Sequence, residues 1–315
     1  MTKYHIISYF ILLFLSLTTE GQQIVFTPQW LPQSQFAGYY VAQEKGFYKE
    51  EGIEVIIQHP SPSNPAVKRL QENSSNIITL QLLQAMVEID KGTPLIHILQ
   101  TSQRNGLMII SRSSTIKTFK DLKGKKVGVW KAGFGELGYI IDSEQQLNIQ
   151  WIPFIQGINL FIAGAVDATL GMSYNECLQI RASGFENNST ISFAESSYDF
   201  PEDGVYVSSS FYKRFPKQVK AFVTASKRGW EWVHEHPEEA LDIVMKMIHH
   251  EKVPANRIHQ KWMLEEILKQ QCKKGEYSPS FNLEQDKVVH LSELLLKYNY
   301  IHSPISWEKL KGGKP

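Results

Sequence analysis

Two periodicities alternate along most of the chain. Short apolar runs with strand character, Ile24 to Thr27, Ile53 to Gln58, Ile77 to Leu80 and Leu95 to Leu99, are separated by stretches with helical spacing of apolar positions at Ser34 to Glu44, Asn64 to Gln71 and Leu82 to Asp90. Units close on turn chemistry such as Gly46, Gly52, Pro60-Ser61-Pro62 or Gly92-Thr93-Pro94. After the polar stretch Ser111 to Lys126 the alternation resumes. Strands are predicted at Val127 to Trp130, Asn148 to Pro153 and Ala168 to Leu170, and helices at Glu136 to Gln145, near Asn159 and at Asn175 to Ala182. Such alternation predicts an α/β protein with mostly parallel sheets flanked by helices. Past the apolar segment Val205 to Ser208 nearly everything reads as helix: Pro216 to His236, Pro237 to His250, Pro254 to Lys269 and Leu283 to Tyr298. Three of these open on proline, which suits a first turn whose amide proton has no partner.

Two βα modules followed by a helical tail predict a first lobe interrupted by a second. The expected division is 22–108 with 207–315 for the first lobe and 109–206 for the second, with hinge crossings near Leu107 to Ile110 and Val205 to Ser208. A ligand would then sit between the lobes, outside the carboxyl ends of the strands.

Composition narrows the function classes. The chain has 315 residues, 42% hydrophobic and 21% charged, enough for a sizeable core. Its 33 Lys and Arg nearly balance 32 Asp and Glu, with no block of like charge, so nucleic acid is not an expected partner. The chain opens with Lys3, an apolar run from Ile6 to Leu17 and then Thr18-Thr19-Glu20-Gly21, the pattern of a secretory signal over 1–21 cleaved near Gly21. That run is shorter than the roughly 20 residues a membrane span needs. A soluble periplasmic protein is expected. Only Cys177 and Cys272 are present, in different expected lobes, so they read as two thiols rather than a disulfide framework or a metal site.

Five segments then carry a family resemblance. Gln29-Trp30-Leu31-Pro32, Phe36-Ala37-Gly38-Tyr39-Tyr40-Val41-Ala42 and Lys45-Gly46-Phe47-Tyr48-Lys49-Glu50-Glu51-Gly52-Ile53-Glu54-Val55 follow in close succession. Asp121-Leu122-Lys123-Gly124-Lys125-Lys126-Val127-Gly128-Val129 and Gly164-Ala165-Val166-Asp167-Ala168 come later, in the same order. This arrangement resembles the NMT1/THI5-like and sulfonate/nitrate/taurine solute-binding group, over roughly 24–235. The resemblance implies the two-lobed type II periplasmic binding fold and capture of a small polar molecule for an ABC permease and its ATPase. It implies no catalytic residue, cofactor or metal, and a monomer is expected. Its nearest subgroup implies a thiamine-precursor pyrimidine; sulfonate, nitrate, taurine or another vitamin precursor is the alternative.

The residues agree in kind. Trp30 lies just after the first strand, where its indole can stack on a flat heterocycle or join the core. Gln29 stands beside it, and Tyr39 and Tyr40 could offer one ring to the cleft and one to the core. Tyr174, Asn175 and Glu176 follow a strand end and open a helix. There a carboxylate could accept from an exocyclic amine or protonated ring nitrogen, or simply favour the helix N-terminus. Ser61 and Asn64 precede a helix and could cap it or face the ligand.

Gly133-Phe134-Gly135-Glu136-Leu137-Gly138 spells a dinucleotide fingerprint, but Trp151 to Gln156 lacks the acid that would hold the ribose. Gly133 and Gly135 are instead expected to expose helix amides to the ligand. The resemblance also reaches pyridoxal-phosphate-using pyrimidine-precursor synthases. Their helix histidine is replaced here by Gln84, and their cysteine cluster is missing. His249, His250, His259, His234 and His236 form no metal-ligand spacing.

Overall fold

The computed structural model describes residues 23–131, 133–155, 157–185 and 189–313. The expected signal, 1–21, lies outside them. Among the described residues no helix is long and apolar enough to cross a membrane.

The strands of the described residues form two sheets of five. The first holds β1 (Ile24–Thr27), β2 (Val55–Ile57), β3 (Ile77–Gln81), β4 (Leu95–Gln100) and β10 (Asp203–Ser208), in the order β2-β1-β3-β10-β4. The second holds β5 (Leu107–Ser111), β6 (Lys126–Trp130), β7 (Gln150–Phe154), β8 (Ala168–Met172) and β9 (Ser189–Ser192), in the order β7-β6-β8-β5-β9. Each sheet has a parallel half, in which β1 pairs with β2 and β3, and β6 with β7 and β8. Each also has one antiparallel strand, β10 against β3 and β4, and β5 against β8 and β9.

Helices flank both sheets: α1 (Ala37–Glu44), α2 (Phe47–Glu50), α3 (Ala66–Gln71) and α4 (Leu82–Asp90) in the first unit, then α5 (Glu136–Gln145), α6 (Asn159–Ile162) and α7 (Glu176–Ala182) in the second. The chain finishes with α8 (Ser209–Arg214), α9 (Pro216–Glu235), α10 (Pro237–His250), α11 (Arg257–Gln270), α12 (Gln285–Lys297) and α13 (Trp307–Lys311).

The crossings differ from those expected. Leu107–Ser111 and Asp203–Ser208 are the central antiparallel strands themselves, and a boundary at 206/207 would cut β10, all six residues of which are buried. Their apolar runs are strand cores. The connections are the polar segments 101–106 and 196–202, which the hydrogen bonding ties together. The Asp203 carbonyl accepts from Thr101 N (2.9 Å), Ser102 N (3.2 Å) and Gln100 Nε2 (2.8 Å). Asn105 N donates to Asp199 Oδ1 (2.9 Å) and Asn105 Nδ2 to the Tyr198 carbonyl (3.1 Å). β9 escaped the periodicity because its sequence, Ser-Thr-Ile-Ser, is polar and half-buried at a sheet edge.

The tail helices close over the first sheet. Gly38 lets α1 meet α9 at close range: a Cβ there would lie 2.3 Å from the Trp230 ring, and one on Gly229 would lie 2.1 Å from the Gly38 carbonyl. This crossing turns Tyr39 inward against Phe26 (centroids 4.6 Å) and Trp230 (5.7 Å). Tyr39, expected as a cleft candidate, is therefore a core residue only 1% exposed.

Candidate functional site

The carboxyl ends of β1, β3, β6 and β8 meet at a cleft between the sheets, enclosing about 510 Å³ that is partly open to solvent. Its first wall comes from the lobe of β1 and β3: Gln29, Trp30, Gln33, Gln35 and Gln81. Its second comes from the lobe of β6 and β8: Trp130, Phe134, Met172, Tyr174, Asn175 and Glu176. Among the described residues no lysine or arginine belongs to either wall.

Three amides of the first wall are held, directly or in relay, by one acid. Gln29 Nε2 donates to Asp203 Oδ1 and Gln35 Nε2 to Asp203 Oδ2, both at 2.7 Å, and Gln33 Nε2 donates to Gln35 Oε1 at 2.5 Å. Burial pushes the Asp203 carboxyl up to about 6 against the opposing pull of these two donors. With its Nε2 committed to Asp203, Gln29 leaves its Oε1 enclosed without a protein donor, an acceptor that suits a ligand amine.

Trp30 is held from behind. Tyr40 Oη donates to His59 Nε2 (2.9 Å), and His59 Nδ1 donates to the Trp30 carbonyl (2.7 Å). Burial lowers the His59 pKa, keeping the neutral ring this relay requires. The Trp30 indole is 38% exposed and meets Trp130 edge-on across the cleft, centroids 6.3 Å apart. Trp130 is backed by Phe154 at 4.7 Å.

On the second wall Glu176 is 3% exposed, and its carboxyl receives Met172 N and Asn175 Nδ2, both at 2.8 Å. Burial raises its pKa; those donors pull it back. The lobes touch directly here. Gln35 Nε2 donates to Tyr174 Oη (3.3 Å), Gln270 Nε2 to Ser173 Oγ (2.8 Å), and His259 Nε2 meets Asn175 Oδ1 at 3.0 Å.

Of the residues singled out from sequence, Gln29, Trp30, Tyr174, Asn175 and Glu176 are thus brought together. Ser61 and Asn64 are not. They bond to each other's backbone in a turn outside the cleft lining, and neither caps α3 with its side chain. Gly133 and Gly135 do not line it either; Phe134 between them does, in a left-handed conformation (φ 69°). The fingerprint spacing is a packing pattern: a Cβ on Gly135 would lie 2.7 Å from Val129, and one on Gly138 2.8 Å from Trp151. Sequence reasoning passed over Gln33, Gln35, Gln81 and Trp130. Trp130 carried a usable signal, since it ends β6, the first strand of the second sheet's parallel half, much as Trp30 follows β1 in the first.

Among the described residues no group of three or more His, Cys, Asp or Glu side chains could hold a metal ion.

Residues 33–240 match the family described as NMT1/THI5 like. The chain is 27% identical to the riboflavin-binding protein RibY of Chloroflexus aurantiacus over 238 residues, 72% of this chain and 67% of that protein. It is 26% identical to the formylaminopyrimidine-binding protein of Halalkalibacterium halodurans over 231 residues, 69% and 68% of the two chains. A 4-amino-5-hydroxymethyl-2-methylpyrimidine phosphate synthase of Aspergillus parasiticus is 23% identical over 268 residues, 75% and 73% of the two. Among solved structures, the periplasmic aliphatic sulphonate binding protein SsuA from Escherichia coli matches with a TM-score of 0.66 at 11% identity over 91% of each chain. The fold is that of the type II periplasmic binding proteins.

Proposed function

This chain belongs to the NMT1/THI5-like family, and on that premise we propose that it is the periplasmic solute-binding component of an ABC importer, closing on a flat nitrogen heterocycle, best a thiamine-precursor pyrimidine. One observation carries this reading: the cleft sets two tryptophans and a buried carboxylate around the ligand space and offers no cation. A sulfonate or nitrate would need positive charge or a cluster of free donors. Here the polar side chains are amides, the Tyr174 hydroxyl and one acid, Glu176. A heterocycle with an exocyclic amine can stack against Trp30 and Trp130 and donate to Gln29 Oε1 and Glu176.

The formylaminopyrimidine-binding relative supports the pyrimidine, and the riboflavin-binding relative supports a second reading in which the flat ring is a flavin. Closure follows if the ligand contacts both walls, because only a ligand that favours the closed state can shift the hinge. The closed monomer would then engage the permease.

Calorimetric titration of the mature protein with 4-amino-5-hydroxymethyl-2-methylpyrimidine, its formylaminomethyl counterpart, thiamine, riboflavin and alkanesulfonates tests the proposal. A pyrimidine binding at least about tenfold tighter than the others is expected. Tightest binding by a sulfonate would refute the reading of the cleft, and turnover of any of these compounds would move the chain to the synthases.

A further inference from the structure

Behind Phe134 and Met172 the cleft continues into an inner chamber. It shares Gln81, Phe134 and Met172 with the outer cleft, and its far side is Asn105, Phe200 and Glu202. Both hinge connections therefore contribute to its wall, Asn105 from 101–106 and Phe200 and Glu202 from 196–202. Glu136, the first residue of α5, lines it as well.

Glu202 is the anomaly. It is 5% exposed and lines the chamber, yet among the described residues no side chain hydrogen-bonds to its carboxyl and no basic group forms an ion pair with it. The backbone amides of Gly106 and Leu107 are the donors turned toward it, while the nearest charges, Asp203 and Asp199, share its sign. Tyr174 lies in its field, and Glu136, which shares the chamber lining, lies in the field of Lys91. Gly106 lets the backbone pack against the carboxyl, since a Cβ there would lie 2.6 Å from Gln270 Nε2 and 2.9 Å from Glu202 Oε2. A buried acid with no counter-charge is costly, and burial raises the pKa of Glu202 well above the carboxylate range. The two backbone amides take only part of its hydrogen-bonding capacity, and the rest faces the chamber.

We propose that this inner chamber is a subsite for a positively charged substituent of the ligand, an ammonium or protonated ring nitrogen held between the Glu202 and Glu136 carboxyls and the Phe134 and Phe200 rings. The inference deepens the binding reading above and rests on it. It makes the protein selective for cationic heterocycles over neutral ones of the same shape, and places the selective contact on the hinge.

Two 4-amino-2-methylpyrimidines, one with a 5-aminomethyl and one with a 5-hydroxymethyl group, differ in the required charge. Calorimetry at pH 7 should show the amine binding about tenfold tighter or more, and in Glu202→Gln that preference should fall to about threefold or less. Equal affinities, or a preference that survives Glu202→Gln, overturn the subsite. Benzylamine and benzyl alcohol carry the same contrast without the pyrimidine, so an amine preference that Glu202→Gln abolishes supports the subsite even if both pyrimidines fail and the ligand class above falls. No such preference overturns it. In the ligand-free protein Glu202→Gln should melt no lower than the wild type, because burial leaves the Glu202 carboxyl protonated in the empty chamber and Gln is likewise neutral; a clearly lower midpoint would mark the carboxyl as structural and refute its role as a ligand group.

Discussion

On the first lobe the cleft is faced by four amide side chains, Gln29, Gln33, Gln35 and Gln81, with Trp30 above them. On the second it is faced by Trp130, Phe134, Met172 and Tyr174, with Glu176 as the one carboxylate. Both walls stand at the ends of parallel strands in sheets of the same order, so topology does not distinguish them. Their rigidity does. Gln29 and Gln35, and Gln33 through Gln35, are tied by Asp203 to β10, which makes that part of the wall a preformed surface. The second wall holds its acid through its own backbone, Met172 N, and the adjoining Asn175. A flat ligand can thus rest first on the amide wall, and the aromatic wall with its acid completes the contacts on closure.

If that division is right, the largest loss should come from the second wall. Glu176→Gln keeps size and an acceptor but removes the charge that would meet an exocyclic amine or protonated ring nitrogen. Affinity for the best pyrimidine should fall about 10- to 100-fold, the worth of one charge-assisted hydrogen bond. Calorimetry gives the constant, and circular dichroism should be unchanged because Gln still accepts from Met172 N. An affinity within threefold of wild type would make Glu176 a packing residue, and the walls would then differ in shape alone.

The first wall is broken through Asp203, with a stability signature. Its folded pKa of about 6 lies above the ordinary 3.8, so the folded protein holds this proton more tightly than the unfolded chain. The stabilisation is full below pH 3.8 and disappears as pH rises through about 6. Asp203→Asn removes this dependence, and the Gln29 and Gln35 amides can turn to pair with the new one. Between pH 4 and pH 7 the wild type should therefore lose about 2 kcal/mol relative to Asp203→Asn, read from urea midpoints at each pH. Parallel pH profiles would mean that Asp203 is not the titrating centre of the amide wall.

Much of this architecture could be read from the chain, and the gaps have physical causes. α4, α5 and α10 fall where their spacing predicts them because amphipathic helices carry their burial pattern locally. The hinge was misplaced because β5 and β10 are buried on both faces, and a continuous apolar run does not say which sheet receives it. Trp30 and Glu176 were visible as unusual residue types just past strand ends. The Asp203 network was not, since Gln29 and Asp203 are 174 positions apart and nothing local marks either as a partner. Tyr39 misled for a related reason: the Gly38 crossing that buries it depends on Trp230, far along the chain.

The two tryptophans offer the finest test, because they are the one feature the walls share. Trp30 is 38% exposed and is positioned through its carbonyl by His59, whereas Trp130 has Phe154 packed at 4.7 Å behind it. A ring backed by another ring has less freedom to lose when a ligand stacks on it, so more of its contact appears as affinity. Each alanine substitution should weaken pyrimidine binding about tenfold, with Trp130→Ala about threefold worse than Trp30→Ala. His59→Leu separates the causes. It leaves the Trp30 ring in place but frees its backbone, so its effect should fall on the association rate if Trp30 belongs to the wall the ligand meets first. An unchanged association rate with faster dissociation would instead assign Trp30 to the closing step, and the two walls would then act together rather than in sequence.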